Sequence, residues 1–224
     1  MERKIIQTAD GSVTIHLPEW NEQYHSKHGA VQEARHVFLK MGLFDLLEKK
    51  SLPQISILEI GFGTGLNAFL TFLEAERFQL KVNYTGVEAY PVASDEVKLL
   101  NYPEASQAGD KAEYFQKLHT AEWEKTEQIS EFFHLKKQQK KFSEIRDRES
   151  FDLIYFDAFG ARVQPELWTR KIFDLMFTAL KSGGELVTYA AKGSVRRAML
   201  ASGFQVEKLP GPPGKREMLR AVKL

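Results

Sequence analysis

Apolar and polar residues alternate over residues 4–8 and again over 12–17, on either side of Asp10-Gly11, a pair that tolerates the positive φ of a tight turn. The pattern predicts an N-terminal β-hairpin. From Ala30 the period changes: Val31, Ala34, Val37, Phe38, Met41 and Phe44 recur three or four residues apart, one apolar face of a helix ending near Lys50, where Ser51-Leu52-Pro53 breaks it. Beyond this point strand and helix signals alternate. Residues 55–60 are a short apolar run that predicts a buried strand stopping at Gly61-Phe62-Gly63-Thr64-Gly65, and Leu66, Phe69, Leu70 and Leu73 then share a helix face. Residues 81–87 predict a second strand, ending at Glu88. Residues 91–131 read as helical and polar, interrupted at Asn101-Tyr102-Pro103 and Gly109-Asp110. Residues 132–137 and 151–156 predict a third and a fourth strand, the latter ending at Asp157. Pro165 suits the first turn of a helix with Trp168, Ile172, Met176 and Ala179 as its stripe, stopped by Gly183-Gly184. Residues 185–191 predict a fifth strand, 195–201 a helix, and 204–209 with 217–222 a closing hairpin around Pro210-Gly211-Pro212-Pro213-Gly214. Such alternation predicts an α/β fold over residues 51–224, a parallel sheet with helices on both faces, preceded by a hairpin-and-helix extension over residues 1–50.

Composition narrows the chemistry. The chain has 224 residues, 43% of them hydrophobic, with 16 Phe, 7 Tyr and 3 Trp, enough for a substantial core and against a disordered chain. It contains no cysteine, which removes thiolate nucleophiles, iron–sulfur clusters and cysteine-based zinc sites. The six histidines show no shared metal-ligand spacing, so no metal is expected. No run approaches the ~20 apolar residues of a membrane helix, and the start of the chain lacks a signal-peptide apolar block, so a cytoplasmic location is expected. The net charge of +1 hides an asymmetry: residues 192–224 carry eight basic and two acidic side chains, while the remainder is slightly acidic. Alone, that excess fits either a solvated face or a localised anionic partner.

The sharpest local signal is Glu59-Ile60-Gly61-Phe62-Gly63-Thr64-Gly65-Leu66-Asn67, a strand, a glycine-rich turn and a helix start. The spacing is not the dinucleotide G-x-G-x-x-G, because Leu66 stands where the third glycine belongs, and no Gly-Lys-Ser/Thr of a phosphate loop follows. Acidic-x-Gly-x-Gly-x-Gly after a strand resembles instead the first motif of the Rossmann-like S-adenosylmethionine methyltransferases. Glu88, at the end of the next strand, is placed to accept both hydroxyl hydrogens of a ribose. Asp157, at the end of the fourth strand, falls beside the point where such sheets bind ligands; a carboxylate there can orient an amine and take its proton, or merely cap a turn.

A narrower resemblance runs from about Tyr24 onward. Asp157-Ala158-Phe159-Gly160, Gln164-Pro165-Glu166-Leu167-Trp168-Thr169, Gly183-Gly184-Glu185-Leu186-Val187, Gly193-Ser194-Val195-Arg196-Arg197, Gly214-Lys215-Arg216-Glu217-Met218 and the N-terminal Tyr24-His25-Ser26 with Glu33-Ala34-Arg35-His36-Val37-Phe38 resemble the methyltransferases that complete 5-methylaminomethyl-2-thiouridine at the wobble position of tRNA. The resemblance implies S-adenosylmethionine as cofactor, with contacts from Glu59, Gly61, Phe62, Gly63, Thr64, Gly65, Asn67, Glu88, Asp157 and Ala158. It implies that Asp157 is catalytic, holding the attacking amine and assisting loss of its proton. Tyr24 and Phe159 would bind substrate, and Arg196, Arg197, Lys215 and Arg216 would form a rim contacting RNA phosphates. Trp168, on its apolar stripe, is expected in the core.

In that family the methyltransferase can be one half of a two-part enzyme, joined to a flavin-dependent oxidase. Because this chain stops after the last expected strand, a stand-alone methyltransferase is expected, with a separate enzyme supplying the aminomethyl precursor and a monomer as the default state. Two departures from the family pattern stand out. After the third strand the chain reads Lys136-Lys137-Gln138-Gln139-Lys140-Lys141 where relatives carry an acidic residue, so an adenine contact there falls to a Gln amide. After Asp157 it has Ala158 and Gly160-Ala161 in place of Gly and Ala-Pro. Two alternatives stay open: an aminopropyltransferase-like or small-amine methyltransferase, and a non-catalytic tRNA-binding module.

Overall fold

In the computed structural model, which describes residues 2–224, three short strands open the chain: β1 (Lys4–Gln7), β2 (Val13–Leu17) and β3 (Glu22–Gln23), forming an antiparallel sheet in that order. One helical span follows, made of α1 (Ala30–Ala34), a π-helical stretch (Arg35–Phe44) and α2 (Asp45–Lys49). The α/β portion then runs β4 (Gln54–Ile60), α3 (Leu66–Phe78), β5 (Lys81–Glu88), α4 (Ser94–Val97), α5 (Tyr102–Ala105), α6 (Ala112–Thr120), β6 (Thr126–Gln128), β7 (Phe133–Gln139) and β8 (Phe151–Phe156). It ends with α7 (Arg170–Ala179), β9 (Leu180–Thr188), α8 (Gly193–Ala201), β10 (Gln205–Pro210) and β11 (Glu217–Val222).

Eight strands form one sheet in the order β10-β11-β9-β8-β4-β5-β7-β6, parallel from β9 to β7 and antiparallel at both edges. The chain leaves the central β4 toward β5 and β7, then returns to β8 on its other side. The crevice at the carboxyl ends of β4 and β8 is therefore the topological switch point, where open α/β sheets take ligands.

A parallel sheet covered on both faces needs strands that are apolar on both sides, and β8 shows why these residues supply them. Leu153 and Tyr155 enter the core beneath the N-terminal helical span and α3, with Phe38, Phe69, Phe72 and Tyr84. Ile154 and Phe156 enter the opposite layer, under α7 and α8, with Trp168, Phe173, Met176 and Met199. Ile15 and Leu17 of the small sheet and Val31, Val37 and Leu43 of the helical span are buried in the first core, so the N-terminal segment shares the core of the α/β portion.

Four details differ from the periodicity. β3 and β6 are short and polar (Glu-Gln and Thr-Glu-Gln), with no alternation to reveal them; both are edge strands paired through the backbone. Pro165–Trp168 is a separate 3-10 turn, and the helix starts afresh at Arg170 after the extended Thr169. Gly183-Gly184 does not stop that helix, which ends at Ala179. The glycines lie inside β9, in a bulge between the pairs Phe151–Leu180 and Leu153–Glu185. Lys137, in the predicted polar run after the third strand, is only 2% exposed.

Candidate active site

Glycine at positions 61, 63 and 65 lets β4 turn sharply into α3. Gly61 has φ +90°, and a Cβ there would lie 2.8 Å from the carbonyl oxygen of Asp157, so the turn and the end of β8 approach too closely for any side chain. Backbone bonds fix the turn from one side: the N–H groups of Gly61 and Phe62 donate to the Val87 carbonyl at 3.0 and 3.1 Å. Side chains fix it from the other. Thr64 is buried; Tyr102 donates to its hydroxyl at 3.1 Å, His25 Nε2 bonds the same oxygen at 2.7 Å, and His119 Nε2 donates to its carbonyl at 3.1 Å. Burial lowers both histidines to about 4, so they hold the turn as neutral rings.

Two carboxylates meet beside this turn. Glu59, 1% exposed at the end of β4, accepts from Asn67 Nδ2 at 2.9 Å, and Asp157 accepts from the same nitrogen at 2.8 Å. Burial raises Glu59 well above the ordinary carboxylate range, with Asp157 adding repulsion. Burial likewise raises Asp157 to about 7, against the lowering effect of the Asn67 bond. Glu88, at the end of β5, accepts from the backbone N–H groups of Gly63 at 3.1 Å and Tyr90 at 2.9 Å. Each of its oxygens keeps a lone pair for a ligand.

A cavity of about 1040 Å³ opens over these groups. Gly61, Gly63, Glu88, Asp157 and Ala158 form part of its lining, and an aromatic wall closes one side: Phe159 packs edge-on against Tyr24 at 4.9 Å and Trp20 at 5.8 Å. Arg162 ties that wall together by donating to the carbonyls of Trp20 and Asn21 and to Glu22 Oε2. Trp168, buried as expected, donates to the Phe159 carbonyl at 2.7 Å.

Comparison with known proteins places the fold in a family. A family model described as S-adenosyl-L-methionine-dependent methyltransferase matches residues 110–224. The chain belongs to that family. It is 29% identical over 227 residues to the "tRNA 5-methylaminomethyl-2-thiouridine biosynthesis bifunctional protein MnmC" of Polaromonas naphthalenivorans, covering 95% of this chain and 34% of the relative. The protein of the same name from Delftia acidovorans is 31% identical over 220 residues, covering 93% and 33%. The chain thus spans about a third of the length of these relatives. The crystal structure of MNMC2 from Aquifex aeolicus superposes with a TM-score of 0.77 at 26% identity, over 98% of this chain and 69% of that one. Spermidine synthase from Thermotoga maritima shares the fold, with a TM-score of 0.58 at 13% identity over 99% and 68%.

The residues of the methyltransferase suit its cofactor. Glu88 and Asp157 flank the glycine turn, where a phosphate would be repelled and a sulfonium cation favoured. Gln138, near the carboxyl end of β7 and outside the cavity lining, carries a buried side-chain oxygen without a hydrogen-bond partner among the described residues.

Of the residues expected from sequence, Tyr24, Phe159, Gly61, Gly63, Glu88, Asp157 and Ala158 line the cavity; Glu59, Phe62, Thr64, Gly65 and Asn67 stand behind it. Phe62 is an anchor, its ring edge-on to His119 and Trp123. The basic residues near the C-terminus divide. Arg196, Arg197 and Arg216 make no ion pair among the described residues. Lys215 departs from the expected phosphate rim: it pairs with Glu33 at 2.5 Å. Arg220 is buried among Asp45, Glu185 and Glu207, and Lys208 pairs with Glu217. Trp20, Glu22 and Arg162 were not apparent as site residues from the sequence, since the N-terminal segment read as an extension; the hairpin beside the Tyr24 signature was the available signal.

Proposed function

We propose that this methyltransferase methylates the aminomethyl nitrogen of wobble (2-thio)uridine in tRNA, giving 5-methylaminomethyl-2-thiouridine. The observation that carries the reading is Asp157, a desolvated carboxyl beside the glycine turn, opening into a cavity with an aromatic wall. The names of its MnmC relatives support the same acceptor.

Bound S-adenosylmethionine supplies an electrophilic methyl group. Glu88 would hold the ribose hydroxyls, and Gly61 and Gly63 would let the backbone come close. The chain's own task is to bring a neutral amine into line within about 3–3.5 Å of that methyl. Asp157 accepts N–H hydrogen bonds from the amine, which leaves the nitrogen lone pair pointing away from the carboxylate, and it takes the proton that the nitrogen loses. A carboxyl raised to about 7 is matched to that exchange at neutral pH. Trp20, Tyr24 and Phe159 offer faces and edges on which an unstacked base can rest, and they exclude water. Arg196, Arg197 and Arg216 supply unpaired cations for the RNA backbone.

The test is incubation with methyl-labelled S-adenosylmethionine and total tRNA from a strain lacking the modification, followed by digestion to nucleosides. Label in 5-methylaminomethyl-2-thiouridine is expected; label only in added small amines would overturn the RNA reading. Asp157→Asn should lose cofactor affinity by calorimetry far less than it loses turnover, which should drop about 100-fold or more. Parent-like turnover in that variant would remove Asp157 from the mechanism.

A further inference from the structure

A line of contacts runs behind Asp157 and joins three distant parts of the chain. Glu33, on α1, is buried; its Oε2 accepts from the backbone N–H of Ser26 at 3.0 Å and its Oε1 from Lys215 Nζ at 2.5 Å. The Lys215 ammonium lies 4.0 Å from the ring centroid of Tyr189, close enough for a strong cation–π contact. The Tyr189 hydroxyl donates to the carbonyl of Ala158 at 2.8 Å, one residue beyond Asp157. Glu33 is thus anchored to the N-terminal segment, Lys215 to the loop between β10 and β11, and Tyr189 to the end of β9, all behind the same peptide.

We propose that Glu33 and Lys215 are a positioning pair for Asp157, which hold the Asp157–Ala158 peptide through Tyr189 and set the charge that the Asp157 carboxyl experiences. This inference takes Lys215 out of the RNA rim and rests on the reading of Asp157 as the proton acceptor. The two members act in opposite directions: the Lys215 cation favours the carboxylate of Asp157, and the Glu33 anion favours its protonated form. The two charges oppose each other, and burial is the largest influence on the carboxyl. The other titratable groups that interact with Asp157 are Glu59 from β4, Tyr84 from β5, Tyr102 from α5 and Tyr189 itself. Breaking the pair leaves Glu59, Tyr84 and Tyr102 in place, removes the cation on the Tyr189 ring, and changes the charge felt by the buried His25, which faces both Glu33 and Lys215.

Opposite signs separate this role from a purely structural one. The full-length protein, labelled with 13C at aspartate side-chain carboxyls, is titrated by NMR without cofactor or RNA, and the Asp157 signal is assigned by its loss in Asp157→Asn. Failure of the tRNA reading therefore leaves this measurement intact. Lys215→Met should move the Asp157 midpoint up by about half a pH unit or more, and Glu33→Gln, which keeps an acceptor for Ser26, should move it down by a similar amount. The double variant should return to within a few tenths of a unit of the parent, and Lys215→Arg should stay with the parent. The acid limb of kcat/KM for methyl transfer should follow each shift. Shifts of the same sign in both single variants, or none in either, would overturn the proposal. Should Lys215→Met fail to fold, Glu33→Gln and Lys215→Arg still decide it, because the first must move the midpoint down and the second must not move it.

Discussion

One amide nitrogen, Asn67 Nδ2, stands between two carboxyl groups that water cannot fully solvate, at 2.9 Å from Glu59 and 2.8 Å from Asp157. Keeping Asp157 ionised there costs stability, because the folded chain raises its pKa to about 7 from an unfolded value near 4. A raised carboxyl binds more protons folded than unfolded between those values, so its contribution is present at low pH and is lost as pH rises through 7. Asp157→Asn carries no such dependence. Denaturant titrations should therefore find the variant more stable than the parent at pH 8, with the difference shrinking toward pH 4. His25 and His119, lowered to about 4, have the opposite sign and lose stability as pH falls from about 6.5, but they are common to both proteins and cancel in the comparison. A stability gain on removing a functional carboxylate is the usual signature of a site built for chemistry.

Among elements, the informative unit is the loop after β8 together with the strap that follows β2. Beyond short 3-10 turns and the two-residue strand β3 they have no regular structure, and they are joined by Arg162 reaching three acceptors across the gap, at 3.0, 2.9 and 3.1 Å. Trp168 secures the loop from below through Phe159. Arg162→Ala should loosen the aromatic wall without touching the glycine turn. The expected result in steady-state kinetics is a KM for RNA raised about 10-fold, with calorimetric cofactor affinity unchanged, in line with the loss of positioning bonds worth about 1–2 kcal/mol. Equal losses in cofactor and RNA binding would instead mean that the strap supports the whole crevice.

Across the whole molecule, charge that looks like one basic block in sequence is sorted by the fold. Lys215 and Arg220 are engaged with carboxylates in the protein and Lys208 with Glu217 at its surface, while Arg196, Arg197 and Arg216 make no ion pair among the described residues. Replacing those three arginines together with alanine should weaken tRNA binding and lower the slope of log affinity against log salt by about 2. Lys215→Met should leave that slope unchanged while shifting the pH profile. Fluorescence titration at several salt concentrations distinguishes the two outcomes.

Local sequence determined much of this protein. The apolar runs of β4, β5 and β8, the glycine turn, Glu88 at a strand end and Asp157 at another were legible because strand burial, turn geometry and strand-end position all depend on neighbours in the chain. The polar edge strands β3 and β6 and the bulge at Gly183-Gly184 were not, since backbone pairing leaves no period in side chains. Only the tertiary structure decided which charged residues meet. Glu33 and Lys215 are 182 residues apart in sequence, Arg162 and Trp20 are 142 apart, and Asn67 and Asp157 are 90 apart. A contact of that kind is selected by how whole elements pack, and side-chain type alone carries no record of the partner it will find across the sheet.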